Sequence, residues 1–225
     1  MKIGVIGATG PAGRGLAARL ASLGHDVIAG SREPARAEKV VAELHERWGS
    51  RVDTLTPGSN ADAAAGGELV VLAVPWDGAV DTARAHAGDL TGKVVVAMAN
   101  GLTREGNEFR AVIPDEGSVA VAVQQAVPEA RVVAAFQHVP AAAFEDLDHA
   151  MESDVIACGD DDAARDTVVR LIASIPNLRA FDGGSLANAL GIEAFAAVLL
   201  SINLRHRGKG TLRLLGVEGH GEPLE

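Results

Sequence analysis

"GVIGATGPAGRG" at residues 4–15 and "IAGSREPAR" at residues 28–36 decide how the first half of this chain folds. Gly7, Gly10 and Gly13 stand in a G-x-x-G-x-x-G spacing. A β-branched run, "KIGVIG" (2–7), precedes them, and a helical run, "AGRGLAARLASLG" (12–24), follows and is closed by Gly24. Glycine at the first position permits a tight turn, and at the second it lets backbone approach a pyrophosphate. At the third it allows a helix to pack closely on a strand. Backbone N–H groups and the positive end of the helix dipole then face the phosphates. Such spacing is a weak signal by itself; its place directly behind an N-terminal strand makes a dinucleotide site the expectation.

The end of the second strand, "HDVIAGS" (25–31), selects the dinucleotide. An acidic residue there would bond the ribose 2′-hydroxyl and repel a 2′-phosphate. This chain instead has Ser31, a hydroxyl donor, Arg32, a bidentate fork, and Arg36 one helical turn further on. Cations at a helix N-terminus oppose its dipole, so a ligand anion is the expected partner, and NADP is expected over NAD.

Further strands are read at "VDTLT" (52–56), "ELVVLAVP" (68–75), "GKVVVAMAN" (92–100), "RVVAAF" (131–136), "DVIACG" (154–159) and "LRAFDGG" (178–184). Helices alternate with them: 33–49, a short one around Asp62, 77–86, 118–128, 161–174 and a long apolar one at 185–206. The alternation implies right-handed crossovers. The expected fold is α/β, a Rossmann-type doubly wound, mostly parallel sheet with a small C-terminal helical lobe. The acidic, Gly-rich tail "GVEGHGEPLE" is expected to be poorly ordered.

At 225 residues the chain can bury a sizeable core as one unit. Its net charge of -10 disfavours nucleic acid and anionic membrane surfaces. No run of wholly apolar residues reaches the roughly 18 that a span needs. The N-terminus has no signal-peptide pattern, and the single cysteine, Cys158, forms no intrachain disulfide and is read as a core thiol. A cytoplasmic protein is the expectation.

Chemistry is read first by elimination. No tyrosine exists to protonate a carbonyl, and Lys39, Lys93 and Lys209 offer no evident general acid. The seven histidines are scattered without ligand spacing, so no metal is expected. A site poor in acids and bases suits hydride transfer between two cofactors, which carry the hard chemistry themselves. No catalytic side chain is therefore assigned. Residues at the carboxyl ends of strands remain as candidates for the site: Val74-Pro75-Trp76, Asn100-Gly101 and "QHVPAAAF" (137–144). His138 is a proton relay or, more simply, a structural or ring-contacting histidine.

Taken together, "GATGPAGRGLAARLASLGHDVIAGSR", "VLAVPWDGAVDTA", "AAFQHVPAAAFEDL", "CGDDDAAR" and "FDGGSLANA…IEAFAAVLLSIN" resemble the NADPH-dependent reductases of the 5-deazaflavin coenzyme F-420 (F420) over nearly the whole chain. The resemblance implies hydride transfer between NADP(H) and F420. It puts the pyrophosphate on Thr9, Gly10, Pro11 and Ala12, and the 2′-phosphate on Ser31, Arg32 and Arg36. Val74, Pro75, Asn100 and Ala141 match positions around the nicotinamide half. His138, Val139, Pro140, Asn188 and Leu212 would line or border the deazaflavin pocket. Gln137 stands where the "HHVPA" form of that motif has a histidine.

On this reading residues 1–140 form the NADP-binding core, and residues 141–225 a small lobe that completes the deazaflavin pocket. "LRHRGKGTLR" (204–213) supplies cations for the coenzyme's anionic tail, unless they merely complement a helix end. The apolar last helix suggests a homodimer. Alternatives are an NADPH-dependent flavin, ferric or small-carbonyl reductase, and a non-catalytic NADP-sensing module.

Overall fold

The computed structural model describes residues 1–149 and 151–221. The β-branched run at the N-terminus is β1 (Lys2–Ile6), which turns through the glycine loop into α1 (Pro11–Ser22). β2 (Asp26–Ser31), α2 (Pro34–Trp48), β3 (Leu55–Ser59), α3 (Asn60–Gly66) and β4 (Leu69–Leu72) follow. After α4 (Trp76–Ala85) and the single turn α5 (Ala87–Leu90) the chain enters β5 (Val94–Ala97). A hairpin, β6 (Leu102–Glu105) and β7 (Glu108–Ala111), precedes α6 (Val119–Ala126), β8 (Arg131–Ala134) and α7 (Ala141–Glu145). The chain then forms β9 (Ser153–Gly159), α8 (Asp162–Ala173), β10 (Leu178–Asp182) and α9 (Ala189–His206).

Eight strands form one sheet in the order β10-β9-β8-β5-β4-β1-β2-β3, parallel except for the β8–β9 pair. This is the expected doubly wound α/β fold. Both faces of the sheet are covered, so the central strands "LVVL" and "VVVA" are apolar throughout and wholly buried. Ile3 and Val5 of β1 pack with Leu16, Leu20, Phe144 and Ile172 on one face; Ile6 packs with Leu72, Val95, Val123 and Ile192 on the other.

Four features differ from the sequence reading. The third strand starts at Leu55 rather than Val52, which is the one buried residue of a 3-10 turn, and it runs through Pro57 and Gly58. It tolerates proline because it is the sheet's outer edge. The β6–β7 hairpin was not anticipated: its strands are mostly polar and exposed, and its one clear signal is Gly106, at φ +58 beside Asn107. Residues 141–221 do not stand apart as a helical lobe, because β9 and β10 extend the same sheet. Finally, the tail expected to be poorly ordered pairs with the β10 edge, where Ala180 and His220 exchange two backbone hydrogen bonds of 2.7 and 2.9 Å. An edge strand's free backbone groups supply the reason. The last four residues of that tail, 222–225, lie outside the described residues.

Candidate active site

β1 has β4 on one side and β2 on the other, so chain connectivity reverses at its carboxyl end and opens a crevice there. A cavity of about 420 Å³ occupies it, lined among others by Gly7, Thr9, Gly10, Ser31, Arg32 and Arg36. Gly7 takes φ +82, and a Cβ on it would stand 2.6 Å from the carbonyl oxygen of Ala73. A Cβ on Gly13 would stand 2.6 Å from the carbonyl oxygen of Gly7, so α1 can approach β1 this closely only with glycine there. The first turn of α1, with Pro11 and Ala12, carries no acidic residue, and Gly10 provides no side-chain cap. Its N–H groups are thus open to an anion.

Ser31 is buried, and its Oγ accepts the Glu33 N–H at 3.2 Å, which leaves its own hydroxyl hydrogen free to donate. A ligand anion is the expected partner of Arg36, but the protein already provides a carboxylate: Arg36 Nε lies 3.0 Å from Glu33 Oε2. Both side chains are largely exposed, so this pair contributes little, and the guanidinium still lines the cavity. Arg32 has no ion-pair partner among the described residues.

Val74 and Pro75, at the end of β4, line the same cavity. Asn100 and Ala141 lie beyond it, after β5 and β8. Asn100 Nδ2 donates to the Gln137 carbonyl at 3.0 Å, and Gln137 Nε2 to the Ala97 carbonyl at 2.9 Å. Those bonds fix both amides and leave Asn100 Oδ1 and Gln137 Oε1 buried without a hydrogen-bond partner among the described residues. His138, 7% exposed, is turned inward: its Nε2 lies 2.7 Å from the Ile192 carbonyl, and its ring meets Phe195 edge-on. The nitrogen facing a carbonyl must carry the proton, so it has none to accept there. Burial holds the ring below its ordinary pKa, hence neutral.

A second cavity, of about 700 Å³, opens beside the end of β8 and the start of β9, where Val139 and Pro140 form one wall with Ala142 and Ala143 of α7. Met151, Glu152 and Ser153 form another, and Lys209, Gly210 and Thr211 a third. That last wall is tied down: Asn203 holds Gly210 through two hydrogen bonds, Thr211 Oγ1 donates to Glu152, and the Leu212 carbonyl accepts the Asp154 N–H at 2.9 Å. Asp154, fully buried, is gripped by Arg179 and accepts the Leu214 N–H. Of the residues expected around a deazaflavin, Val139 and Pro140 therefore line the cavity and Leu212 adjoins it. The imidazole of His138 is turned away against α9, and Asn188 lies exposed at the start of α9, bonded to Gly183. Neither is brought to the cavity.

Several residues escaped the sequence reading. Asn60 Oδ1 accepts the Gly7 N–H at 3.2 Å and braces the glycine loop from α3. Arg14 and Arg19 of α1 reach across to α7. An arginine at buried helical spacing in "AGRGLAARLAS" was the available signal, because an arginine is seldom fully buried without partners. Cys158 is buried as expected, its thiol pushed up to about 11 by burial.

The chain is similar to known proteins over most of its length. A family model described as NADP oxidoreductase, coenzyme F420-dependent, matches residues 2–101. The F420-dependent NADP reductase of Methanocaldococcus jannaschii is 37% identical over 224 residues, covering 97% of this chain and all of that protein. Its namesake from Methanothermobacter thermautotrophicus is 32% identical, covering 92% of this chain and 91% of that one. A crystal structure from Arthrobacter sp. FB24, of a protein provisionally named an F420-dependent NADP-reductase, superposes with a TM-score of 0.79 at 30% identity. It covers 93% of this chain and 96% of its own. With its glycine loop, its arginine-edged crevice and this full-length similarity, the chain belongs to the F420-dependent NADP reductase family.

Proposed function

We propose that the two cavities are the two halves of one redox site, the first for NADP(H) and the second for F420. The chain is an oxidoreductase that passes hydride between these coenzymes. Each coenzyme supplies its own redox ring, and the protein's task is to bind, orient and shield them. Thr9, Gly10, Pro11 and Ala12 would cradle the pyrophosphate, with the backbone N–H groups of Thr9, Ala12 and Gly13 as donors, and Ser31 with Arg32 and Arg36 would hold the 2′-phosphate. Val74, Pro75, Asn100 and Ala141 would flank the nicotinamide half, and Val139, Pro140 and Leu212 the deazaflavin side. Residues 141–221 thereby complete the acceptor pocket. Lys209, on the cavity wall, is the cation best placed for the tail of F420.

One observation carries this reading: both cavities open along the same carboxyl edge of the sheet, with the ends of β4, β5 and β8 in a row between them. Ala142→Trp tests it. Ala142 is exposed and lines the second cavity, so the indole should obstruct that cavity and raise the KM for F420 at least about tenfold, with NADPH affinity held within about twofold. An unchanged KM for F420 would remove the deazaflavin from this cavity.

The assembly we propose is a cytoplasmic homodimer without nucleic-acid or membrane partners. The helical stretch Leu186–His206, which contains α9, is long and apolar enough to cross a membrane. Its Glu193, however, accepts the Val119 and Ala120 N–H groups of α6, and its Ser201 bonds β7, which ties it into the fold. Phe195, Val198 and Ile202, 41–51% exposed, form an outward stripe at helical spacing that a second copy would cover. Val198→Glu should shift sedimentation from dimer to monomer; a wild-type monomer would rule the dimer out.

A further inference from the structure

We propose that Arg19 is a positioning residue for the acceptor side of the reaction, holding the wall of the second cavity at a set distance from the glycine loop. The inference rests on the placement of F420 in that cavity. Arg19 is 5% exposed and has no carboxylate within ion-pair range among the described residues. Its guanidinium lies against backbone instead: Nε donates to the Phe144 carbonyl at 3.3 Å, and Nη2 faces the carbonyls of Ala143 at 3.2 Å, His149 at 3.4 Å, and Asp146. Arg51 adds a second guanidinium from outside, bonded to the Leu147 carbonyl and the Asp148 carboxylate, each at 2.6 Å.

The reason lies in α7. Five residues are too few for a helix to be stable alone, and its last carbonyls have no partners within the helix. The stretch from Ala143 to His149 pairs with no strand, yet Ala143, Asp146 and His149 line the cavity. Arg19 and Arg51 together satisfy five of its carbonyls and so set its shape. Close contact completes the lock: a Cβ on Gly15 would stand 2.8 Å from the Phe144 Cβ, so α1 and α7 meet at glycine.

α1 is also the helix whose N-terminus faces the first cavity. Pro11 and Arg19 lie eight residues apart on one rigid element, about 12 Å along its axis. The structure thus runs a single stiff member from the proposed pyrophosphate cradle to the proposed acceptor wall. Burying a guanidinium is costly, and burial indeed lowers the pKa of Arg19. A methionine would fill the same space without that cost but would leave the carbonyls unsatisfied, so packing alone does not explain the arginine.

Arg19→Met and Arg19→Lys in the full chain test the proposal, with NADPH affinity, steady-state kinetics and hydrogen exchange as readouts. Arg19→Met should raise the KM for F420 and slow single-turnover hydride transfer, each about tenfold or more, since misplacement of about 1 Å can cost that much. NADPH affinity should move by less than about twofold. Amides of residues 143–149 should exchange faster while those of 11–18 do not, and Arg19→Lys should recover part of the KM. If Arg19→Met does not fold, Arg51→Met, at a half-exposed site, should show the same direction with a smaller size. A folded Arg19→Met with the wild-type KM for F420 and wild-type transfer rate would overturn the proposal. Ala142→Trp separates the two failures: if it leaves F420 binding intact the cavity is misassigned, and if it blocks F420 while Arg19→Met is silent, only the role of Arg19 falls.

Discussion

The two cavities are built in opposite ways. The first is built of turns at the ends of neighbouring strands: Gly7, Gly10 and Ser31 come from one βαβ unit within 31 residues, Val74 and Pro75 from the turn after β4, and backbone geometry does most of its shaping. The second is assembled from afar: Val139 and Pro140, Met151 to Ser153, and Lys209 to Thr211 meet only because guanidiniums and a buried carboxylate tie irregular segments together. A cradle made of backbone turns is hard to alter without unfolding it. A pocket pinned by long side chains can be retuned one residue at a time, so the second cavity, our proposed acceptor side, is where variation in affinity should concentrate.

The largest effect that would sharpen this contrast is at the local cavity. Gly13→Val would place methyl groups where even a Cβ stands 3.0 Å from the Ala73 Cβ and 2.6 Å from the Gly7 oxygen. Overpacking of this kind costs about 1–3 kcal/mol or more, so the melting temperature should fall and NADPH binding should drop below detection by titration calorimetry. Retained NADPH affinity would show the glycine loop to be less exacting than its geometry says.

Next in size is the 2′-phosphate. Arg32→Ala should cost about 1.5–3 kcal/mol in NADPH affinity, roughly 10- to 100-fold, with NADH affinity nearly unchanged. Arg36→Ala should cost less, because Glu33 already shares that guanidinium. Equal losses for NADPH and NADH, measured by fluorescence titration, would move the 2′-phosphate elsewhere.

At the assembled cavity the effect is smaller. Lys209→Gln should raise the KM for F420 severalfold at low salt and much less at about 0.1 M or above, where screening reaches within about 10 Å. Arg205→Gln should do nothing, since Arg205 pairs with Glu108 on the hairpin. If the two substitutions behave alike, general charge rather than the cavity wall attracts the coenzyme.

The smallest expected change is at His138. Its Nε2–H is committed to Ile192, so His138→Gln should slow hydride transfer by less than about 100-fold, below the upper range of a general acid. Stability should carry its signature instead. The native ring titrates below 6.5, so under about pH 6.5 the unfolded chain binds more protons and stability falls as pH drops toward the native pKa. His138→Gln should flatten that slope in denaturant melts; an unchanged slope would assign it to other groups.

The sequence by itself determined the sheet and the first cavity. Strand runs such as "KIGVIG" and "ELVVLAVP", the glycines at 7, 10 and 13, and the serine and arginines after the second strand are local patterns, and their consequences follow from neighbours within a few residues. It left the hairpin unread because polar strands such as "LTRE" carry no core-facing alternation, and it placed the third strand too early because an edge strand may contain proline. Resemblance placed His138 and Asn188 around a deazaflavin, and the fold bonds one to Ile192 and the other to Gly183, contacts that no local pattern encodes. Only the tertiary structure decided the second cavity. Arg19 and Phe144, 125 residues apart, are the two ends of a contact that no period or spacing encodes. Where a wall is held by side chains reaching across such separations, its position is a property of the packed whole, because the cost of a buried guanidinium is offset only once every carbonyl it serves is already in place.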